Sequence, residues 1–191
     1  ISVLSDQYFT AEGIEARPFV HGTYLLAGAS LCGGKAYALL EKFFREFVKE
    51  ATGHEKPLYK TLEKLAGDGK ASCTGRENRK KLQIETTFDG TRVHPEQTGS
   101  ITNLSTDNFT PAAFVYGTLE GMSRELYQMY QTIQNGTGMQ IKRMIGSGNG
   151  LRKNPVLCEI VEEMFGAKLV LAECEEEAAT GAALSSMQQD E

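Results

Sequence analysis

Three glycines at 146, 148 and 150 stand in Gln140-Ile-Lys-Arg-Met-Ile-Gly-Ser-Gly-Asn-Gly150, the stretch of this chain best suited to receive a ligand. Asn154-Pro155 and an amphipathic run to Gly166 follow, so a strand, a glycine loop and a helix are expected here. Glycine lets backbone approach a ligand that a β-carbon would repel, and helix N-termini offer unpaired N–H groups to oxygens. A nucleotide suits such a loop. Two better-known loops do not match. A dinucleotide fingerprint needs a third glycine where Leu151 stands and an acidic residue about 20 positions on in a βαβ setting. Gly28-Ala-Ser-Leu-Cys-Gly-Gly-Lys-Ala36 imitates a phosphate-binding P-loop, but the first required glycine falls on Ala29 and the metal-binding hydroxyl on Ala36.

The elements that would carry this loop fit one ordinary globular domain over residues 1–191. The composition, 40% hydrophobic and 24% charged, supports a full core. A net charge of −5 and a pI near 5.4 supply no electrostatic footprint for nucleic acid or anionic lipid, and the basic stretch Arg76 to Lys81 is diluted by Glu77 and Asn78. No membrane span or secretory segment is visible. Cys32, Cys73, Cys158 and Cys174 are scattered without CxxC pairing, as in a reduced, cytoplasmic protein. Asn103, Asn108 and Asn135 therefore match glycosylation acceptors by chance, and His21, His54 and His94 lack metal-ligand spacing. No metal site is expected. A chain that opens on the apolar Ile1-Ser-Val-Leu-Ser5 without Met is expected to be part of something longer.

Three β-like runs come first, Ile1 to Ser5, Ile14 to Val20 and Tyr24 to Ala29, and suggest an antiparallel meander. Ala36, Leu39, Leu40, Phe43, Phe44, Phe47 and Val48 mark a helix with a core-packing stripe, ending before Gly53. A weaker helix over Lys56 to Ala66, a polar loop from Gly67 to Lys80 and a strand from Leu82 to Phe88 follow. Thr110-Pro111 caps a long helix whose Gly117 and Gly121 share a face, so another backbone can pack closely there, and Asn135-Gly-Thr-Gly138 reads as the turn after it. Beyond the glycine loop come a helix capped by Asn154, a strand over Lys168 to Ala172, and a last helix beginning within Glu173 to Glu177 and rich in Ala and Gly. Strands followed by alternating helix and strand indicate an α/β layer with a mixed β-sheet flanked by α-helices.

The order of motifs is specific: a meander and helix pair, Gly90-Thr-Arg92 with Pro95, Gly99-Ser-Ile-Thr-Asn-Leu104, and a long helix carrying Leu119-Glu-Gly121. Gly146-Ser-Gly148 and Glu177-Ala-Ala-Thr-Gly-Ala-Ala183 complete it. Over nearly the whole chain this resembles the C-terminal domain of the FGGY family of carbohydrate kinases, with Gly28 to Gly34 and the Gly-Ser-Gly form nearest its sedoheptulokinase branch. The resemblance implies the actin-like ATPase (ribonuclease H-like) fold and the nucleotide-binding half of a two-domain kinase whose N-terminal sugar-binding domain is absent. It implies transfer of the ATP γ-phosphate to a ketose hydroxyl, with ATP and Mg2+ as cofactors, and xylulokinase or another sugar kinase of the family as the alternative. Gly146, Ser147, Gly148, Asn149 and Asn154 would line the adenosine pocket, with Asn103 near the phosphates; the helix from Ala178 would be the interdomain connector. Asn103 stands where the family commonly has glycine. The general-base aspartate is implied upstream of Ile1, so this fragment alone would be inactive. Its partners would be ATP and a sugar, with no nucleic acid and no membrane, and a homodimer is left open. A dinucleotide-binding oxidoreductase domain and a non-catalytic actin-like module are the readings from other classes.

Overall fold

Apolar residues alternating with polar ones, and a left-handed turn between them, build the first sheet. β1 (Ser2–Ser5), β2 (Glu15–Pro18) and β3 (Tyr24–Ala27) pair antiparallel in the order β1-β3-β2, with Val3 opposite Leu26 and Pro18 opposite Tyr24. The order corrects the expected meander, in which β2 would lie in the middle. Residues 6–14 are an irregular connection, whereas β2 and β3 are joined tightly through Val20–Gly22, where His21 and Gly22 take positive φ. Pro18 fits the edge because an edge strand can dispense with a ladder N–H. The computed structural model describes residues 1–73, 81–173, 179–181 and 183. The chain gathers into two compact units, Ile1–Gln140 and Ile141–Glu191, each described by itself below.

In the first unit α1 (Gly33–Thr52) ends at Gly53, which takes the left-handed conformation and closes the last turn on the Lys49 carbonyl. Its seven-residue apolar stripe is wider than the core can use. Ala36 is buried and Leu40, Phe44 and Val48 are half-buried, but Leu39, Phe43 and Phe47 face outward, which corrects the expectation of a wholly core-facing stripe. The inward side also carries Glu41, which is buried. Its Oε1 accepts from the Leu58 N–H at 2.9 Å and its Oε2 pairs with Arg45 Nε at 3.2 Å. Leu58 opens α2 (Tyr59–Cys73), so Glu41 fastens the start of one helix to the middle of another. Replacing Glu41 by alanine strands that N–H and should lower unfolding free energy by about 2–3 kcal/mol, read by urea denaturation. Glu41→Gln keeps the hydrogen bond and should cost under about 1 kcal/mol, because Arg45 is partly solvated.

Arg45 also pairs with Glu55, and Lys49 lies 2.8 Å from the same carboxylate. Lys49 first, then Arg45, holds the Glu55 carboxyl below its ordinary 4.5. A depressed folded pKa stabilises above the unfolded value, and that contribution disappears as pH falls through the folded value. Between pH 5 and 3, thermal stability should therefore fall more steeply in the native chain than in Glu55→Gln.

Helix α2 runs to Cys73, where the sequence reads a loop from Gly67. Leu58, Leu62, Ala66 and Gly69 continue one buried stripe, and a β-carbon at Gly69 would strike the Ala112 carbonyl and Tyr116 Cβ of α3 (Pro111–Thr137). Close backbone contact between helices outweighs the roughly 1 kcal/mol propensity penalty of glycine. The rest of the expected loop, 74–80, lies outside the described residues. Thr110 caps α3 by accepting from the Ala113 N–H, and Pro111 takes its first position, as the sequence reads. The helix takes in Asn135-Gly136-Thr137, the first three residues of the expected turn, before Gly138 ends it. The Phe9 ring occupies the space that a side chain at Gly136 would take.

Strands β4 (Gln83–Glu85) and β5 (Ser100–Thr102) form an antiparallel pair, with Ile84 opposite Ile101. β5 is invisible to periodicity because all three of its residues are exposed. β4 lies directly on α3, its Ile84 carbonyl against Gly121 and Ile84 side chain against Gly117, which is the close packing expected at those glycines. Leu26, Leu62, Val115, Leu119 and Ile133 fill the centre of this unit. Among the described residues no helix is long and apolar enough to cross a membrane.

Candidate functional site

The second unit is a strand, a loop and two helices closed by a second strand. β6 (Arg143–Gly146) pairs parallel with β7 (Lys168–Leu171), Gly146 facing Leu171, and the Ala172 N–H carries the ladder on to the Gly146 carbonyl at 2.8 Å. Between them lie the four-residue α4 (Asn149–Arg152) and α5 (Pro155–Phe165). Both strands pass the chain into loops at the same end, the usual place for a ligand on parallel strands.

The three glycines of the loop have three different reasons to be glycine. Gly146 is buried, and a β-carbon there would stand 2.8 Å from Leu151 Cδ1 and 3.0 Å from Leu169 Cδ1. It serves internal packing. Gly148 has φ 91 and ψ 158, a region closed to side-chain-bearing residues, and nothing lies within 4 Å of a β-carbon placed on it. It turns the chain into α4 and leaves bare backbone exposed. Gly150 is helical with open space around it, so no steric demand makes it glycine. Ser147 and Asn149 flank Gly148 and are exposed.

Asn154, four residues beyond the last glycine, is buried. Its Oδ1 accepts from the Leu157 N–H at 3.1 Å to cap α5, while its own N–H donates to the Leu151 carbonyl at 3.3 Å. One residue thus joins the end of α4 to the start of α5, with Pro155 at the first helical position. Loss of this cap in Asn154→Ala should cost about 0.5–2 kcal/mol, seen as a lower midpoint in chemical denaturation. Two further supports were not legible in the sequence. The Cys158 thiol donates to the Leu151 carbonyl at 3.3 Å, and Glu162 Oε1 accepts from the Leu169 N–H at 2.7 Å, tying α5 to β7. An ordinary helical glutamate and a lone cysteine carry no pattern that would single them out. Burial, with Glu162 nearby, raises the Cys158 thiol above its ordinary value, so it is a neutral donor at neutral pH.

Asn103 belongs to the first unit, the other five candidate residues to the second. It follows β5 with φ 61, the left-handed conformation that asparagine tolerates better than most residues. Its Nδ2 donates to the Lys81 carbonyl at 3.2 Å, and Asn108 Nδ2 donates to the Asn103 carbonyl at 2.9 Å while Asn108 Oδ1 accepts from the Ser105 N–H at 2.8 Å. Asn108 therefore holds the 103–108 loop in shape.

The other glycine motifs of this unit are structural ties. Ser30 Oγ accepts from the Cys32 and Gly33 N–H groups and donates to Glu125 at 2.7 Å, so the P-loop look-alike spends those amides on its own hydroxyl. Gly90 has φ 72 and lies against the Pro95 carbonyl; Arg92 reaches Glu15 at 3.6 Å, and Asp89 pairs with Lys35 at 2.7 Å. Gly90-Thr-Arg92 thereby clamps its loop to β2 and to the first turn of α1. Among the described residues no three His, Cys, Asp or Glu side chains are grouped to hold a metal ion. The acidic run ending at Glu177 lies outside the described residues apart from Glu173; of the small-residue helix, residues 179–181 and 183 are described and helical.

A family model described as the FGGY family of carbohydrate kinases, C-terminal domain, matches residues 10–188. Sedoheptulokinase of Mus musculus is 26% identical over 175 residues, which are 91% of this chain and 35% of that protein. The chain thus spans about a third of the length of the relatives it matches. Xylulose kinase of Rhodospirillum rubrum superposes with a TM-score of 0.69 at 19% identity, over 89% of this chain and 32% of that one. Plasmodium falciparum glycerol kinase with ADP superposes with a TM-score of 0.65 at 16% identity, over 95% and 35%. These likenesses show the α/β, actin-like ATPase fold of sugar kinases. With the family model matching nearly end to end, the chain belongs to the FGGY family of carbohydrate kinases, as its C-terminal domain.

Proposed function

We propose that this chain is the nucleotide-side domain of an ATP-dependent ketose kinase of sedoheptulokinase type, acting in the cytoplasm with an N-terminal sugar-binding domain that precedes it. The carrying observation is the bare, Gly-only backbone at Gly148, set between a parallel strand and the Asn154 cap in a chain of this family. ATP fits the residues present. Adenosine would lie along Gly146, Ser147, Gly148 and Asn149, where exposed backbone at 148 lets a flat base and ribose approach, and Asn154 would hold the floor. Asn103 would face the phosphates.

Phosphoryl transfer is chiefly positioning and charge stabilisation. Mg2+ would arrive on the ATP phosphates and neutralise the developing charge; the described residues group no cage for it. The contribution of this chain is to fix the nucleoside end so that the γ-phosphate has one direction of approach. The base that accepts the sugar hydroxyl proton is placed upstream of Ile1. Since a positioned general base is worth about 10²- to 10⁴-fold, the chain by itself should bind nucleotide without turning over sugar.

The 26% identity to a protein named sedoheptulokinase favours a seven-carbon ketose over the pentulose of the alternative, xylulokinase. The test is ATP consumption by the full protein against sedoheptulose, xylulose and gluconate. Preference for sedoheptulose supports the reading, preference for xylulose selects the alternative, and absence of ATP-analogue binding by the full protein would sink both.

A further inference from the structure

Asn135 and Asn149 are each followed by glycine, and the structure treats the two pairs in opposite ways. Asn-Gly is the dipeptide in which a side-chain amide and the next backbone nitrogen meet most easily, because glycine puts no β-carbon in the way. Asn135-Gly136 lies in the last turns of α3, where the helical ladder engages backbone N–H groups and the Phe9 ring lies against Gly136. That pair is locked. Asn149 and Gly150 are both exposed, with open space around Gly150. They open α4, a single turn held by the Arg152 N–H on the Gly148 carbonyl at 3.2 Å and the Lys153 N–H on the Asn149 carbonyl at 3.1 Å. One turn has little stability of its own, so Asn149 can leave helical geometry. The carbonyl four residues before Gly150 belongs to Gly146 and accepts from Ala172; among the described residues neither the Gly150 N–H nor the Asn149 carboxamide has a partner. Asn103, Asn108 and Asn154, by contrast, each have the side chain engaged.

We propose that Asn149 is a site of spontaneous modification, its side chain closing on Gly150 and reopening as a carboxylate. The Gly150 nitrogen attacks Asn149 Cγ and forms a C–N bond, while the bond from Cγ to Nδ2 breaks and Nδ2 leaves as ammonia with the proton given up by the Gly150 nitrogen. Water then opens the cyclic imide. Cleavage at one carbonyl gives aspartate; cleavage at the other gives isoaspartate, in which the main chain runs through the former side chain and is longer by a carbon. Water is the sole co-reactant, and nothing is oxidised or reduced. Either product sets a negative charge next to Gly148, and isoaspartate also shifts the turn that Gly148 makes into α4. The chemistry is independent of what the loop binds, whereas its consequence rests on the nucleotide reading above. A nucleoside seated along residues 146–149 covers Asn149 and keeps α4 closed, so occupied protein retains its asparagine and empty protein loses it.

Peptide mass spectrometry of the full protein, held in mildly alkaline buffer, reads the change as a mass gain equal to water minus ammonia. The peptide bearing Asn149 should acquire it while the peptide bearing Asn135 keeps its mass. Gly150→Ala, at a position with no steric need for glycine, should slow the change about tenfold because a β-carbon obstructs ring closure. A saturating non-hydrolysable ATP analogue should slow it in the native protein, and Asn149→Asp, the product made directly, should bind that analogue several-fold more weakly. Conversion at Asn149 no faster than at Asn135, or unaltered by Gly150→Ala, would overturn the proposal. Conversion that the analogue leaves unslowed, with Asn149→Asp binding it as tightly as the native protein does, would uphold the modification and count against the seating of a nucleotide there.

Discussion

Replacing Gly148 by alanine should weaken binding of a non-hydrolysable ATP analogue to the full protein by about 10- to 100-fold, while Gly150→Ala leaves it almost unchanged. The two glycines are separated only by Asn149 and both look out on open space, so bulk alone does not separate them. Conformation does. At φ 91 and ψ 158 a β-carbon costs about 1–3 kcal/mol, which the loop relieves by rotating and thereby re-aiming Ser147 and Asn149. Gly150 is already helical, where alanine is favoured by about 0.5–1 kcal/mol, so its replacement should hold or raise stability. Gly146→Ala falls between them. Its new methyl meets the ends of Leu151, Leu169 and Leu171, flexible groups that can shift at a cost of about 1 kcal/mol. Calorimetric titration of the three variants should rank them 148, 146, 150 in loss of affinity. Equal losses at 148 and 150 would show that the loop is read by its bulk and would argue against backbone approach of a nucleotide.

Gly121→Ala should destabilise the first unit by about 3 kcal/mol, against a change near zero for Gly117→Ala, as measured by urea midpoints. Both glycines lie on the face of α3 that meets β4. At 117 the added methyl stands 3.3 Å from the tip of the Ile84 side chain, which can turn aside. At 121 it strikes the Ile84 carbonyl, and backbone cannot turn aside without breaking the ladder to β5. The gain of about 1 kcal/mol in helix propensity is common to both positions, so the difference isolates the strand contact. A displaced β4 would also pull Glu85 from Arg124 and shift Thr86, whose methyl already packs close to Gly121.

Much of this protein is written locally. Thr110-Pro111 and Asn154-Pro155 specify helix starts, and Gly53 and Gly166 specify helix ends, because caps and left-handed glycines depend on a few adjacent residues. The motif order carried the family for the same reason, as an arrangement along the chain. The strand, glycine loop and helix were legible, though not the division of labour among the glycines, which requires knowing that Leu151, Leu169 and Leu171 converge on Gly146.

Only the tertiary structure decided the remainder, wherever a residue answers to a neighbour distant in sequence. Gly67 and Gly69 read as loop until α3 is laid against Gly69, whose missing side chain lets the two helices meet while α2 continues to Cys73. Strand β5 has no pattern of its own and exists because β4 lies beside it. The sheet order β1-β3-β2 depends on which strand pairs twice, a choice that alternation cannot encode. The stripe of α1 shows the limit most plainly. Its seven apolar residues announce an amphipathic helix, but periodicity cannot say how wide an arc the core will cover. The fold takes the side bearing Ala36, Glu41, Phe44 and Val48 and leaves Leu39, Phe43 and Phe47 outside, because only the facing elements set how much apolar surface one side of a helix can bury.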